Sequence, residues 1–82
     1  MDAGIYKATV DRLTELLLLK DFTVSGLAYR SGVSESTIKS ILNGQSTNPG
    51  IVTIKKLCDG LDISVSEYFN SSVFTCLEQE IK

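Results

Sequence analysis

The sequence feature that most constrains the fold is a glycine between two short helical patterns. The first pattern covers Val24–Ser31, the second covers Glu35–Leu42, and Gly32 lies in the connection. Because glycine enters the left-handed backbone region at little cost, Gly32 permits a tight reversal. Thr23 and Ser34 directly precede the two patterns, where a side-chain hydroxyl accepts a hydrogen bond from an unpaired first-turn amide. The segment therefore predicts two helices joined by a tight turn.

Apolar and polar residues divide the second of these helices into two faces. Ile38 and Ile41 share one face, and Leu27 and Ala28 lie on the facing side of the first helix. Ala28 suits a close crossing of the two helices, where a larger side chain would push them apart. The opposite face of the second helix carries only polar side chains: Glu35, Ser36, Lys39, Ser40 and Asn43. This pattern predicts a helix-turn-helix, whose second helix can enter the major groove of DNA.

Two further helices flank this unit, and the C-terminal part adds shorter ones. Residues 5–20 form an amphipathic pattern with a predicted buried stripe, namely Tyr6, Val10, Leu13, Leu16 and Leu17. A fourth helix is predicted at Ile51–Leu61, and its expected buried face is Ile51, Ile54, Leu57, Cys58 and Leu61. Ser64 is the expected cap of a short fifth helix, Val65–Phe69.

The apolar pattern does not determine the packing partners of two segments. Leu18 and Leu19 exceed what one buried face needs, so they pack either against a terminal segment or against a second subunit. Residues 73–81 have helical apolar spacing and predict a sixth helix capped by Ser72, which would dock on the first helix or on a twin subunit. A disordered tail is the alternative.

Composition excludes several functional classes. The 82 residues and 43% apolar content suit one small folded domain. The longest apolar run, Leu16 to Leu19, is far below the roughly 18 residues of a membrane helix, and no signal peptide opens the chain. We therefore expect a cytoplasmic protein without membrane contact. The chain has no histidine, no nucleophile with a neighbouring base and no glycine-rich phosphate loop, so we expect neither an enzyme nor a cofactor.

Cysteine spacing and charge bear on possible ligands. Cys58 and Cys76 lack the spacing and the histidine partners of a metal site, so we expect no metal and a buried Cys58 thiol. The net charge of −2 is low for a protein that binds nucleic acid. Between Thr23 and Leu57, however, four basic residues accompany one acidic residue. Whether the chain can bind nucleic acid depends on the electrostatic field at the contacting surface and not on the net charge.

Several short motifs occur together in a recognisable order: Leu27-Ala28, Gly32-Val33-Ser34, Ser36-Thr37-Ile38, Asn43-Gly44, Pro49 and IKKLCDGLDISVSEYF. With these motifs the chain resembles the lambda-repressor-like family of Cro and phage repressors, also called the xenobiotic-response-element class, over roughly residues 13–69. The resemblance implies an all-α, five-helix DNA-binding domain over residues 1–70, with residues 71–82 as an extension in possible dimer contact. It further implies a sequence-specific transcriptional regulator that binds double-stranded DNA, and we expect a homodimer because one module reads few base pairs.

The resemblance also assigns candidate DNA contacts by position. Base contacts fall on the start and outward face of the second helix of the motif, and phosphate contacts on neighbouring side chains and on the amides of helix N-termini. The candidate residues are Thr23, Val24, Glu35, Ser36, Thr37, Lys39, Ser40, Asn43, Gln45 and Thr47.

The chain departs from the family pattern at two positions. Many members resemble one another in carrying glutamine where Val24 stands and arginine where Leu17 stands, and both changes remove donors for DNA. These departures and the acidic charge favour a rival hypothesis, a protein-interaction module on the same fold, such as an antitoxin or a partner subunit. The polar outward face of the helix Glu35–Leu42 favours DNA.

Overall fold

A computed structural model describes residues 4–81 of the chain. The helices are α1 (Ile5–Leu19), α2 (Val24–Ser31), α3 (Glu35–Leu42), α4 (Ile51–Leu61) and α5 (Val65–Phe69), followed by one 3₁₀ turn at Ser72–Phe74. Residues 4–81 contain no β-strand, and the predicted all-α fold is confirmed. Over the same residues, every helix is too short or too polar to cross a bilayer.

Local capping explains why the helices begin where the sequence predicts. Three hydroxyls, those of Thr23, Ser34 and Ser64, accept hydrogen bonds from the amides of Gly26, Thr37 and Glu67 at 2.9, 3.2 and 3.0 Å. Each bond satisfies an amide that has no partner inside its own helix. Gly32 has φ +75°, in the left-handed region, and its amide donates to the Ala28 carbonyl oxygen. The reversal between α2 and α3 is therefore made as predicted.

The core lies where α2 packs across α4 and α3. Its fully buried side chains come from all five helices: Leu13, Leu27, Ile38, Ile41, Leu57, Cys58, Leu61 and Tyr68. The predicted burial of Cys58 is confirmed. The expected burial of Ile51 is wrong, because the first turn of α4 extends beyond the core and leaves Ile51 70% exposed. The apolar period was correct, but it does not show where along a helix the neighbouring layer ends.

Arg12 is a buried residue that the apolar pattern of α1 does not predict. Its side chain is buried, with Nε donating to the Tyr68 carbonyl oxygen at 2.7 Å and Nη2 donating to the Glu67 carbonyl oxygen at 2.7 Å. Nη1 lies 3.0 Å from Oε1 of Glu15. The guanidinium therefore satisfies two carbonyls of the last turn of α5 and fixes that helix against α1.

The predicted sixth α-helix is wrong. Beyond α5 the described chain forms the single 3₁₀ turn, which packs against α1, and then irregular backbone. Ser71, and not Ser72, caps the turn by accepting from the Val73 amide. The segment contains weak helix formers such as Val73 and Thr75, and helices shorter than roughly 12 residues are marginal without extensive packing. The ring of Phe74 instead packs 4.8 Å, centre to centre, from that of Phe69.

Leu18 and Leu19 do not pack against a terminal segment within the described residues. Their exposed fractions are 77% and 71%. Leu17, the next residue towards the N-terminus, is half-buried against the core. Within residues 4–81 the end of α1 thus leaves two adjacent leucines in solvent. Packing against residues 1–3 or 82 lies outside the described residues, and the subunit contact stays a prediction.

Candidate nucleic-acid interface

The two faces of α3 differ sharply in burial. Ile38 and Ile41 are fully buried, whereas Glu35, Ser36 and Lys39 are exposed. The core contacts thus fix how far α3 is rotated about its own axis, and that rotation sets which side chains face outward. The predicted division of α3 into a core face and a solvent face is present in the structure.

The outward face carries one weak ion pair. Lys39 Nζ lies 3.7 Å from Oε1 of Glu35, one helical turn earlier, and both side chains are about half exposed or more. Exposed pairs of this kind contribute roughly 0.2–1 kcal/mol. Lys39 can therefore exchange this partner for an acceptor on a ligand at little cost.

Hydroxyl groups cluster at the N-terminus of α3. Besides capping the helix, Ser34 Oγ lies 2.9 Å from Thr37 Oγ1 and 3.3 Å from Ser36 Oγ. Ser36 and Thr37 are both exposed. Because a hydroxyl donates and accepts, this end of α3 presents groups that suit either kind of polar partner.

The exit of α3 brings three candidates together. Ser40 Oγ donates to Gln45 Oε1 at 3.4 Å, and Asn43 Oδ1 accepts from the Gln45 backbone amide at 3.1 Å. Gly44, at φ +90°, makes the bend between them. Within residues 4–81 the side-chain nitrogens of Asn43 and Gln45 have no hydrogen-bond partner, and both side chains are exposed. Two amide donors therefore point to solvent beside α3.

The remaining candidates lie at helix N-termini and in the loop before α4. Thr23 is exposed and its hydroxyl caps α2, while the Val24 side chain is half-buried against the core, which leaves only its backbone as a polar group. Thr47 is exposed in the loop. Gly50 is the N-cap of α4 and supplies no side-chain acceptor, so the first amides of α4 can donate to an anion.

Three of the four basic residues between Thr23 and Leu57 have a partner within residues 4–81. Arg30 donates from Nε to the Gly60 carbonyl oxygen at 2.9 Å, and its guanidinium carbon lies 5.0 Å from the centre of the Phe22 ring. Lys55 is paired with Asp59 on the exposed side of α4. Arg30 is thus part of the packing between α2 and α4. Lys39 is the cation on the outward face of α3.

Comparison with known families identifies this arrangement. Residues 12–70 match the model of the Cro/C1-type HTH DNA-binding domain. The chain belongs to the Cro/C1-type family. This confirms the resemblance drawn from the motifs, and it places the chain in a DNA-binding class and not in a class of enzymes.

One curated relative adds to this Cro/C1-type assignment. Over 52 residues the chain is 35% identical to the HTH-type transcriptional regulator SlrR of Bacillus subtilis (strain 168). The match covers 63% of this chain and 34% of the relative, so the chain spans about a third of the length of that protein. No solved structure matches.

Cys58 is buried in this Cro/C1-type domain, whereas Cys76 is exposed. Residues 4–81 contain no group of three side chains that could hold a metal ion. Burial, followed by the charge of Asp59, raises the pKa of the Cys58 thiol above its ordinary value of 9.0, against a smaller opposite effect of Lys55. A neutral, buried thiol is a packing group.

Sequence reasoning missed one polar residue that contacts α3. Tyr6 was predicted only as part of the apolar stripe of α1, yet its hydroxyl donates to the Ile41 carbonyl oxygen in the last turn of α3. The two residues are 35 positions apart. The amphipathic period shows that the Tyr6 ring faces inward, but no local signal in the sequence indicates the partner of its hydroxyl.

Proposed function

We propose that this domain binds double-stranded DNA sequence-specifically, as a homodimer with α3 of each subunit in the major groove, and regulates transcription. The description of the family supports DNA binding, and the name of the relative from Bacillus subtilis supports a role in transcription. Neither the groove nor the assembly follows from these matches. Both are inferred from the surface of the domain.

The main support for the proposal is that α3 has one buried apolar face and one exposed polar face. Fully buried Ile38 and Ile41 hold the helix, and exposed Glu35, Ser36 and Lys39 lie on the other side. The major groove admits one α-helix, and a helix held in this way can insert its polar face without losing core contacts.

The outward side chains have the chemistry of base recognition. Lys39 can donate to O6 and N7 of guanine, Glu35 can accept from N4 of cytosine, and the hydroxyl of Ser36 is compatible with several bases. Half-buried Ser40 is tied to Gln45, so we assign it to the edge of the contact.

Uncharged donors compensate for the acidic chain at the phosphates. Thr23, Asn43, Gln45 and Thr47 offer exposed polar groups, and the N-termini of α2 and α4 add backbone amides. Such contacts fix the register of a protein on the duplex without reading its sequence. Because none of these donors is cationic, we expect a shallower salt dependence than for a basic regulator.

Leu18 and Leu19 motivate the dimer. Adjacent leucines with exposed fractions of 77% and 71% are costly in water and are removed from it in a subunit contact. A two-fold pair of domains would place two copies of α3 on successive half-sites, which raises affinity and selectivity together.

Selection from a pool of random duplexes tests the proposal. We expect enrichment of sites with two inverted half-sites about one helical turn apart, the spacing that a symmetric pair of recognition helices requires. Single, unpaired sites would retain major-groove reading and exclude the dimer. The absence of any enrichment, even at low salt, would exclude DNA recognition.

A second candidate function is supported by a different observation. Tyr29 on α2 is 92% exposed, and with Leu18 and Leu19 it gives the domain large apolar side chains outside the proposed interface. Aromatic residues are enriched where proteins contact one another. If the selection fails, a protein-interaction module, antitoxin-like or a partner subunit, becomes the favoured function.

A further inference from the structure

The hydroxyl of Tyr6 makes a long-range contact with the end of α3. It donates to the carbonyl oxygen of Ile41, which lies in the last turn of that helix. Tyr6 belongs to the first turns of α1, and its side chain is half-buried. The contact therefore connects two helices through one side chain and one backbone group.

The Ile41 carbonyl needs such a partner. In a longer helix it would accept from the amide four residues on, which is that of Gln45. That amide donates instead to Oδ1 of Asn43 at 3.1 Å. The Ser46 amide reaches back to the Ser40 carbonyl oxygen at 2.9 Å. Tyr6 thus completes the C-terminus of α3 at a carbonyl that the local chain does not satisfy.

The same hydroxyl lies beside the bend that follows α3. A Cβ built on Gly44 would be 3.9 Å from Tyr6 Oη. Gly44 has φ +90° and directs the chain into the segment that carries Gln45 and Thr47. Tyr6 Oη therefore lies beside the bend that leads into the segment of Gln45 and Thr47.

A groove lies under the continuation of this loop. It has a volume of about 410 Å³ and is lined by Tyr6, Thr9 and Ile54 on the helix side and by Thr47 and Pro49 on the loop side. Thr47, Asn48 and Gly50 of the loop are exposed, whereas α3 buries Ile38 and Ile41 completely, so packing holds the loop less firmly than α3. A hydrogen bond from α1 to the last turn of α3, directly before the loop, is then a significant constraint on where the loop begins.

We propose that Tyr6 is a positioning residue of the DNA interface, whose hydroxyl holds the C-terminus of α3 and the adjoining segment of Asn43, Gln45 and Thr47 in the geometry that keeps α3 in register with the bases. The inference rests on the proposed function. Tyr6 itself does not touch DNA in this arrangement. Its effect passes through the Ile41 carbonyl and the bend at Gly44.

The test compares two variants that each remove one tyrosine hydroxyl. Tyr6→Phe keeps the ring and deletes the bond to Ile41. Tyr68→Phe is the matched control, because Tyr68 Oη donates to the Thr9 carbonyl oxygen at 2.8 Å and so joins α5 to α1, away from α3. Both variants lose one hydrogen bond to a backbone carbonyl of the core region.

Two measurements separate positioning from plain stability. The first is the ratio of affinities for a selected duplex and for a scrambled duplex, at one salt concentration and well below the melting temperature. Global unfolding lowers both affinities by the same factor, so it leaves this ratio unchanged. The second is hydrogen exchange at the amides of Gln45 and Ser46, with the amide of Ile63, bonded to the Cys58 carbonyl oxygen, as reference.

For Tyr6→Phe we expect the affinity ratio to fall about three- to tenfold and the Gln45 and Ser46 amides to exchange faster by a similar factor, the range for one lost hydrogen bond. For Tyr68→Phe we expect a lower melting temperature, an unchanged affinity ratio and unchanged exchange of the Gln45 and Ser46 amides relative to that of Ile63. An unchanged ratio in Tyr6→Phe, or unchanged exchange at both amides, would overturn the proposal. If wild-type protein prefers no duplex, the proposed function fails. Faster exchange in Tyr6→Phe would then show that the hydrogen bond holds the end of α3 but has no role in DNA binding, which overturns the proposal as well.

Discussion

Gly60 of α4 lies directly against Ser31 at the end of α2. A Cβ at position 60 would be 2.7 Å from Cβ of Ser31 and 2.9 Å from its Cα. The preceding residue, Arg30, donates to the Gly60 carbonyl oxygen across the same contact. Glycine weakens an isolated helix, but here it lets α2 and α4 approach closely. Through this contact α4 packs against the first helix of the helix-turn-helix.

Gly60→Ala is therefore expected to destabilise the fold. Overpacking of this kind costs about 1–3 kcal/mol, and the gain from alanine inside a helix offsets at most about 1 kcal/mol of that. Chemical denaturation of the variant measures the difference. Asp59→Ala is the control, since it changes an exposed neighbour on the same helix and should stay within about 0.5 kcal/mol. A more stable Gly60→Ala protein would show that the two helices do not meet at this point.

Arg12→Ala is expected to cost about 2–4 kcal/mol of unfolding free energy. The change removes two charge-assisted bonds to carbonyls of α5 and leaves those carbonyls partly buried. Glu15→Ala tests the ion pair alone. Because the Glu15 side chain is 48% exposed, its loss should cost less than about 1 kcal/mol. Equal losses in the two variants would mean that the ion pair, and not the bonds to α5, is what matters.

Stability should fall in alkaline solution. Burial raises the pKa of Cys58 above 9.0, and burial together with the nearby Cys58 raises the pKa of Tyr68, despite an opposite effect of Arg12. The unfolded chain loses these protons first. The stabilisation is therefore complete below about pH 9 and is lost as the pH rises towards the folded-state pKa values.

Denaturant titrations between pH 8 and pH 11 measure this loss, with Cys58→Ala as the comparison. The variant lacks the buried thiol, so its stability should decline less steeply above pH 9, although the cavity lowers its stability throughout. Parallel curves for the two proteins would show that Cys58 does not contribute to the pH dependence.

The end of α1 provides a prediction about assembly. Replacing Leu18 and Leu19 together by serine should convert a dimer into a monomer that still folds, since both side chains are in solvent within the described domain, and it should remove the dependence of the melting temperature on protein concentration. Light scattering measures the mass, and Tyr29→Ser serves as a control at an exposed apolar residue of α2. A variant that remains dimeric would place the subunit contact elsewhere, and a monomeric wild type would refute the homodimer.

Local chemistry explains which parts of this fold are predictable from the sequence. The hydroxyl caps and Gly32 act within three residues of the helix ends that they define, so the starts of α2, α3 and α5 and the end of α2 follow from the sequence alone. The candidate contacts on α3 follow from the helical spacing of its apolar residues, because burial of Ile38 and Ile41 determines which side of the helix faces outward.

Contacts between distant residues were not predictable in this way. Arg12 and Tyr68 are 56 positions apart, and Tyr6 and Ile41 are 35 apart, so no periodicity relates them. The prediction of a helix after α5 was wrong for a different reason. Apolar spacing indicates which residues would share a face if a helix formed, but whether a short helix forms depends on the packing available to it. There the ring of Phe74 packs with Phe69 in a single turn.

DNA binding by α3 is tested most directly by titrating a selected duplex with wild type, Lys39→Ala and Lys7→Ala at two salt concentrations. Both lysines are exposed and pair with a carboxylate four residues away, Lys7 with Asp11 on α1, so the variants lose the same charge at different places. Lys39→Ala should lose about 1–3 kcal/mol of binding free energy with an unchanged melting temperature, while Lys7→Ala should bind like wild type. Affinity should fall with salt in all three. Equal binding by the two variants, or no binding by wild type at low salt, would contradict reading of DNA by α3.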